Sequence, residues 1–201
     1  MPDNNRPLLR AAAPRTSKQR GVAAIEFALL ALVFFGLVFG ILEIARMMYL
    51  FNTLQEVTRR AAALAVNSPF DQDGQDDVRR RAMFADAKGN LVLGNPVTPA
   101  HLRLEYLSLA RGAAGGLTMA TVDPLPASPA ENRINCLANP NGASCIRFVR
   151  VQVCQPNTPG DCTPVPYQMF FPLVDFTGLT LPRSTTTAPA QSMGYTAGAV
   201  P

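Results

Sequence analysis

The sequence predicts an α+β fold, in which a long N-terminal transmembrane helix extends into an extracytoplasmic antiparallel β domain. Three observations predict it. Residues 27–42 are sixteen consecutive apolar side chains, preceded by a basic leader. An apolar stripe at helical spacing then carries on to Val66. Beyond residue 89 the helical pattern gives way to proline, glycine and alternating β-branched segments.

The leader, residues 1–21, holds Arg6, Arg10, Arg15, Lys18 and Arg20 against Asp3 alone. The rest of the chain is balanced, with thirteen basic and thirteen acidic side chains, so the overall charge of +4 belongs to the leader. A nucleic-acid surface would carry its positive charge on the folded domain, so no nucleic-acid partner is expected. Residues 22–51 form the expected transmembrane helix, since a bilayer core of ~30 Å needs roughly 20 apolar residues. The positive-inside rule puts the N-terminus in the cytoplasm and the C-terminal residues across the membrane. The apolar core is longer than that of a cleaved secretory signal, and the nearest small-residue site, Ala61-Ala62-Ala63, lies well past it.

A helix over residues 22–66 would be about 68 Å long, twice the bilayer core, so residues 52–66 are expected to project as an amphipathic stem. Leu50, Leu54, Val57, Ala61 and Leu64 make its apolar stripe; Asn52, Gln55, Glu56, Arg59 and Arg60 fill the other faces. Asn67-Ser68-Pro69 ends it. Residues 67–187 constitute the expected α+β domain. The acids at 71–77 lack the glycine and glutamate positions of a calcium loop. They read as a turn and an acidic N-cap for a short helix over 77–87.

Strands are expected over 102–109, 117–122, 146–153 and 167–174, with a last one over 179–187. The clearest is 146–153, where Val149, Val151 and Val153 alternate with Arg150 and Gln152. Residues 124–142 read as loop, and the tail 188–201 as loose. The four cysteines, Cys136, Cys145, Cys154 and Cys162, lie on the translocated side, where an even count suggests disulfides. Of three possible connectivities, the two local loops Cys136–Cys145 and Cys154–Cys162 are favoured. Zinc would want closer cysteine spacing, and the single histidine, His101, is remote. His101 reads as a surface residue. No serine sits in a Gly-x-Ser-x-Gly setting. No catalytic residue, metal or cofactor is expected.

Glu26 is the sharpest problem, because a charge at the membrane centre costs about 2.5–3.5 kcal/mol even on lenient scales. Near the helix start it could snorkel to the interface. Its surroundings offer another account. Lys18-Gln19-Arg20-Gly21, followed by Val22 and then Glu26-Phe27, resembles the processing site of type IVb prepilins and pseudopilins. The Gly-x4-Glu-Phe junction, the Gly40-Ile41-x-Glu43-x-x-Arg46 ending and the Asn52-x-x-Gln55 continuation occur in order. Together they resemble the TadE-like proteins of the tight-adherence, Flp pilus system, over about residues 20–66.

That resemblance implies a pilin-like extracytoplasmic domain and an inner-membrane location, or a place in the pilus. It implies cleavage after Gly21 by a prepilin peptidase, and partnership with other pilins, pseudopilins and assembly proteins besides the lipid bilayer. Cleavage would leave the amine of Val22 four residues from Glu26, on one helix face. Gly36 and Gly40 form a GxxxG that permits close helix approach. Glu43 and Arg46, three apart, form an expected ion pair at the outer membrane border. The competing reading is an uncleaved bitopic protein presenting an extracytoplasmic binding or adhesion domain.

Overall fold

Helix α1 (Arg20–Ala65) dominates the computed structural model of the chain, which describes residues 20–84, 89–112, 115–156, 160–171 and 178–195. Its 46 residues run without a break, giving a rod of about 69 Å. Two environments divide it. Residues 21–42 face outward almost all round, and the most apolar window of the helix, with mean hydropathy 2.6, has no buried residue. From Glu43 onward one face is buried: Leu50, Leu54, Val57, Ala61 and Ala65 lie in the core. The predicted stripe is therefore the seam on which the head is built, with Thr58 and Ala62 added to it and Leu64 only partly buried against it.

The head is a four-stranded antiparallel sheet of order β2-β1-β3-β4, so the chain is α+β with an N-terminal candidate membrane helix. The strands are β1 (Leu102–Arg111), β2 (Leu117–Thr121), β3 (Phe148–Val153) and β4 (Thr185–Pro189). In β1 and β3 the pleat sends alternate side chains to opposite faces. Leu104 pairs across from Val151, and Tyr106 from Val149, on the face turned to α1. On the other face Glu105 pairs with Arg150, whose Nε donates to the carboxylate at 2.7 Å. Each fully buried Leu or Val in this layer contributes about 1.5–3 kcal/mol of transfer free energy.

Helix α2 (Gln72–Ala82) packs on α1 through Val78 and Ala82. It begins earlier than expected. The Asp71 carboxylate caps it by accepting from Gly74 N at 3.0 Å, and Gly74 is required because a Cβ there would lie 2.2 Å from the Pro69 carbonyl. The acidic run is thus the first turns of the helix rather than a turn before it. Asp76 pairs with Arg79 at 2.6 Å, and Asp77 pairs with Arg81.

The segment expected as loop contains α3 (Pro129–Ala138). Ser128 Oγ accepts from Glu131 N at 3.1 Å, while the Glu131 carboxylate accepts from Ala127 N at 2.7 Å. The structure pairs Cys136 with Cys145 and Cys154 with Cys162. The first bond ties α3 to the chain entering β3. Cys154 N donates to the His101 carbonyl at 2.9 Å, so the second lies where β3 leaves the sheet beside the start of β1.

Two other expectations are corrected. Residues 167–171 form no strand; the nearest pairing is an isolated bridge between Pro166 and Thr180. The start of the tail is not loose. Ala188 and Pro189 belong to β4, and Gln191 N and Met193 N both donate to the Val66 carbonyl at the end of α1. Residues 1–19 of the leader and residues 85–87, 172–174 and 196–201 of the expected helix, strand and tail lie outside the described residues.

The seam supplies a direct test. Leu54→Ala should lower unfolding free energy by about 2–5 kcal/mol in denaturant titration of the detergent-solubilised protein. Leu32→Ala, on the exposed half of α1, should leave it unchanged.

Candidate functional site

A buried polar constellation lies where α1 passes from its exposed half to its buried half. Glu43 and Arg46 are one helical turn apart, and Arg46 Nη1 donates to Glu43 Oε1 at 3.0 Å. Both are buried, at 5 % and 8 % exposure. The head supplies the remaining partners. Arg46 Nη1 also donates to the Gln168 carbonyl at 2.7 Å and to the Tyr167 hydroxyl at 3.0 Å, while Arg46 Nε donates to the Leu93 carbonyl at 2.9 Å. The Tyr167 hydroxyl donates to Glu43 Oε1 at 2.6 Å. Phe170 N approaches Glu43 Oε2 at 3.4 Å.

Arg46 Nη2 has no hydrogen-bond partner among the described residues. The Phe170 ring lies 4.0 Å from the guanidinium carbon and the Tyr167 ring 5.1 Å from it, so cation–π attraction offsets part of that deficit. Leu93 holds φ at 56°, a left-handed conformation that costs a bulky residue about 1–3 kcal/mol. The strained turn presents its carbonyl to Arg46.

The expected ion pair is therefore present, with a larger part in the structure than a border of snorkelling side chains would have. It is the joint between helix and head. Sequence reasoning did not find Leu93, Tyr167, Gln168 or Phe170. Tyr167 lies 121 residues from Arg46, and no local pattern reports such a partner.

The other predicted residues lie apart from this joint. Gly21 and Val22 are in the first turn of α1, in helical rather than extended conformation. Val22, Glu26 and Phe27 are exposed, and Glu26 has no ion-pair partner among the described residues. A Cβ at Gly36 or Gly40 would meet nothing within 4 Å, so the chain does not itself cover the GxxxG face. His101 is buried rather than on the surface. Its Nδ1 accepts from Thr98 N at 3.0 Å, closing the short turn Pro99–His101, and burial pushes its pKa down.

A family model described as TadE-like protein matches residues 21–63. The match bears out the resemblance carried by the Gly21, Glu26, Glu43 and Asn52 motifs. The TadE-like segment comprises the exposed half of α1 and nearly all of the seam; sheet and disulfides lie beyond it. No curated protein and no solved structure matches the chain.

The joint predicts its own energetics. Removing one member of a buried pair leaves an uncompensated charge, so Arg46→Ala should destabilise by about 3–5 kcal/mol in denaturant unfolding. Replacing both charges, Glu43→Leu with Arg46→Met, should lose less than Arg46→Ala alone.

Burial and the hydrogen bond to Glu43 also push the Tyr167 phenol from 10.0 up to about 12. The folded chain thus favours the neutral phenol. This contribution is complete below pH 10 and is lost as pH rises toward 12. Tyr106 is raised in the same direction by burial. Unfolding free energy should therefore fall with rising pH above 10, and Tyr167→Phe should remove part of that fall.

Proposed function

We propose that this chain is a TadE-like pseudopilin or minor pilin. On this reading it is a bitopic inner-membrane protein that a prepilin peptidase trims after Gly21 and that then takes part in assembling Flp-type pili. The reading gives the chain a structural role and no catalytic residue of its own. The observation that carries it is the family match over residues 21–63, which begins at the glycine of the processing motif.

The geometry of the first turn supports the reading physically. Gly21 would leave its carboxylate on the released leader, and Val22 would acquire the new amine. Glycine destabilises a helix by roughly 0.5–1 kcal/mol relative to alanine, and the first four N–H groups of any helix lack intrahelical partners. The turn at Gly21 can thus open into the extended form a protease needs, at small cost. After the cut the Val22 amine and Glu26 would share one face, four residues apart. Glu26 faces outward with no described partner, so the pair could close within the chain or against a neighbouring pilin. In apolar surroundings such a pair sets register more than net stability.

N-terminal sequencing of the protein isolated from its native host tests this. The expected result is a mature chain starting at Val22; a chain that retains its leader would favour the uncleaved bitopic protein. Glu26→Ala is expected to weaken processing or association with partner pilins, and unchanged behaviour in both would remove the role assigned to Glu26.

A further inference from the structure

We propose that the base of the head is a second membrane-contact surface, seated in the interfacial layer of the bilayer that α1 crosses, with phospholipid as its occupant. The first argument is depth. The exposed half of α1, residues 21–42, spans about 33 Å, close to the ~30 Å of a hydrocarbon core. A span that starts at Gly21 leaves the core near Phe39–Leu42. The head meets the helix at that same level. Phe171 stacks on Phe39 with ring centroids 4.6 Å apart, and the Phe170 ring and Leu93 carbonyl close on Arg46 one to two turns later.

The second argument is what the base displays there. Val92, Leu93, Phe170, Phe171 and Leu179 all carry exposed side chains, Leu93 at 54 % and Phe170 at 48 %. None of the five is charged. Each belongs to a segment fixed against α1: Leu93 and Phe170 through Arg46, Phe171 through Phe39, and Leu179 through its carbonyl, which accepts from Tyr167 N at 2.9 Å. A small apolar groove of about 90 Å³, lined by Ile44, Met47, Tyr167 and Leu179 together with Glu43, continues the surface along the helix. Aromatic and aliphatic side chains gathered at the level where a span leaves the hydrocarbon fit the acyl–headgroup boundary.

The third argument is where the polar groups of the same loops go. At bilayer depth, irregular backbone must be satisfied by protein. The carbonyls of Leu93 and Gln168 turn inward to Arg46, and Phe170 N turns toward Glu43. These two carbonyls and this N–H thus turn to α1, while Leu93 and Phe170 of the same segments expose hydrocarbon. Apolar contact at two places, the span and the base, would fix the tilt of the head over the membrane.

The chain contains no tryptophan, so Phe170→Trp would be its sole indole. The full-length variant would be reconstituted in phosphatidylcholine–phosphatidylglycerol vesicles. Its emission should shift to the blue, lose most of its intensity to lipids brominated high on the acyl chain, and resist iodide in the aqueous phase. Val92→Trp, which spares the Phe170–Arg46 contact, should behave alike. Leu137→Trp, on exposed α3, should respond to iodide and ignore brominated lipid. Base variants insensitive to brominated lipid would overturn the proposal. If iodide quenches them the base stands in water; if it does not, a second copy of the chain covers it. Neither result depends on whether the Gly21–Val22 bond is cut.

Discussion

A carboxylate and a guanidinium buried together, 3.0 Å apart, tolerate very little freedom around them. Desolvation penalises each ion by several kcal/mol, and mutual attraction offsets this only when the remaining lone pairs and protons also find partners. In this chain those partners come from two separate segments of the head, one through Leu93 and the other through Tyr167, Gln168 and Phe170. The joint therefore fixes the height of the head along α1 and its rotation about it. A shift of one residue along the helix would turn Glu43 and Arg46 by about 100° and leave both charges uncompensated.

The apolar seam works in the same frame. Leu50, Leu54, Val57, Ala61 and Ala65 continue upward from Arg46 on one face, so a single helical phase satisfies both the charges and the core. Hydrophobic contact alone would tolerate sliding of the sheet along such a stripe; the ion pair at the bottom does not. At the top, the Val66 carbonyl accepts from both Gln191 and Met193. The helix is thus held at both ends of the head. The rest of the head has modest means: four strands and two local disulfides, the first of which anchors α3, whose Ile134 and Leu137 are exposed.

How much of this could be read in advance follows from the range of each signal. The stem was legible because its stripe repeats within one helix, and β3 because Val149, Val151 and Val153 alternate. The local cysteine loops were legible from spacing. Helix α3 was missed although Ser128-Pro129-x-Glu131 is a capping sequence with proline in the first turn. The prolines and asparagines around it drew attention to turns instead. The start of α2 was misjudged because Asp and Gly are weak helix formers, and packing of Val78 and Ala82 on α1 overrides that weakness. Residues 167–171 look like a strand because they are apolar, yet their apolarity serves the helix joint and the base of the head. The ion pair itself was visible at spacing three; its depth was not, because its partners lie 47 and more than 120 residues away.

Two acids of α1 now stand in contrast. Glu43 is compensated entirely within the chain, by a cation one turn on and by donors from the head. Glu26 is exposed, with no ion-pair partner among the described residues, and it lies thirteen residues before Phe39, where Phe171 of the head stacks on the helix. Among the described residues no other segment of the chain packs at Glu26, so nothing there compensates its charge within the fold. Compensation must come from the interface, from another molecule in the membrane or, under the cleavage proposed above, from the new Val22 amine. Each route depends on events at the N-terminal end and none on the head. The two charges therefore divide the helix by task. The upper one holds the head on the helix within one chain, and the lower one, on the function proposed above, leaves a valence open for processing and assembly to fill.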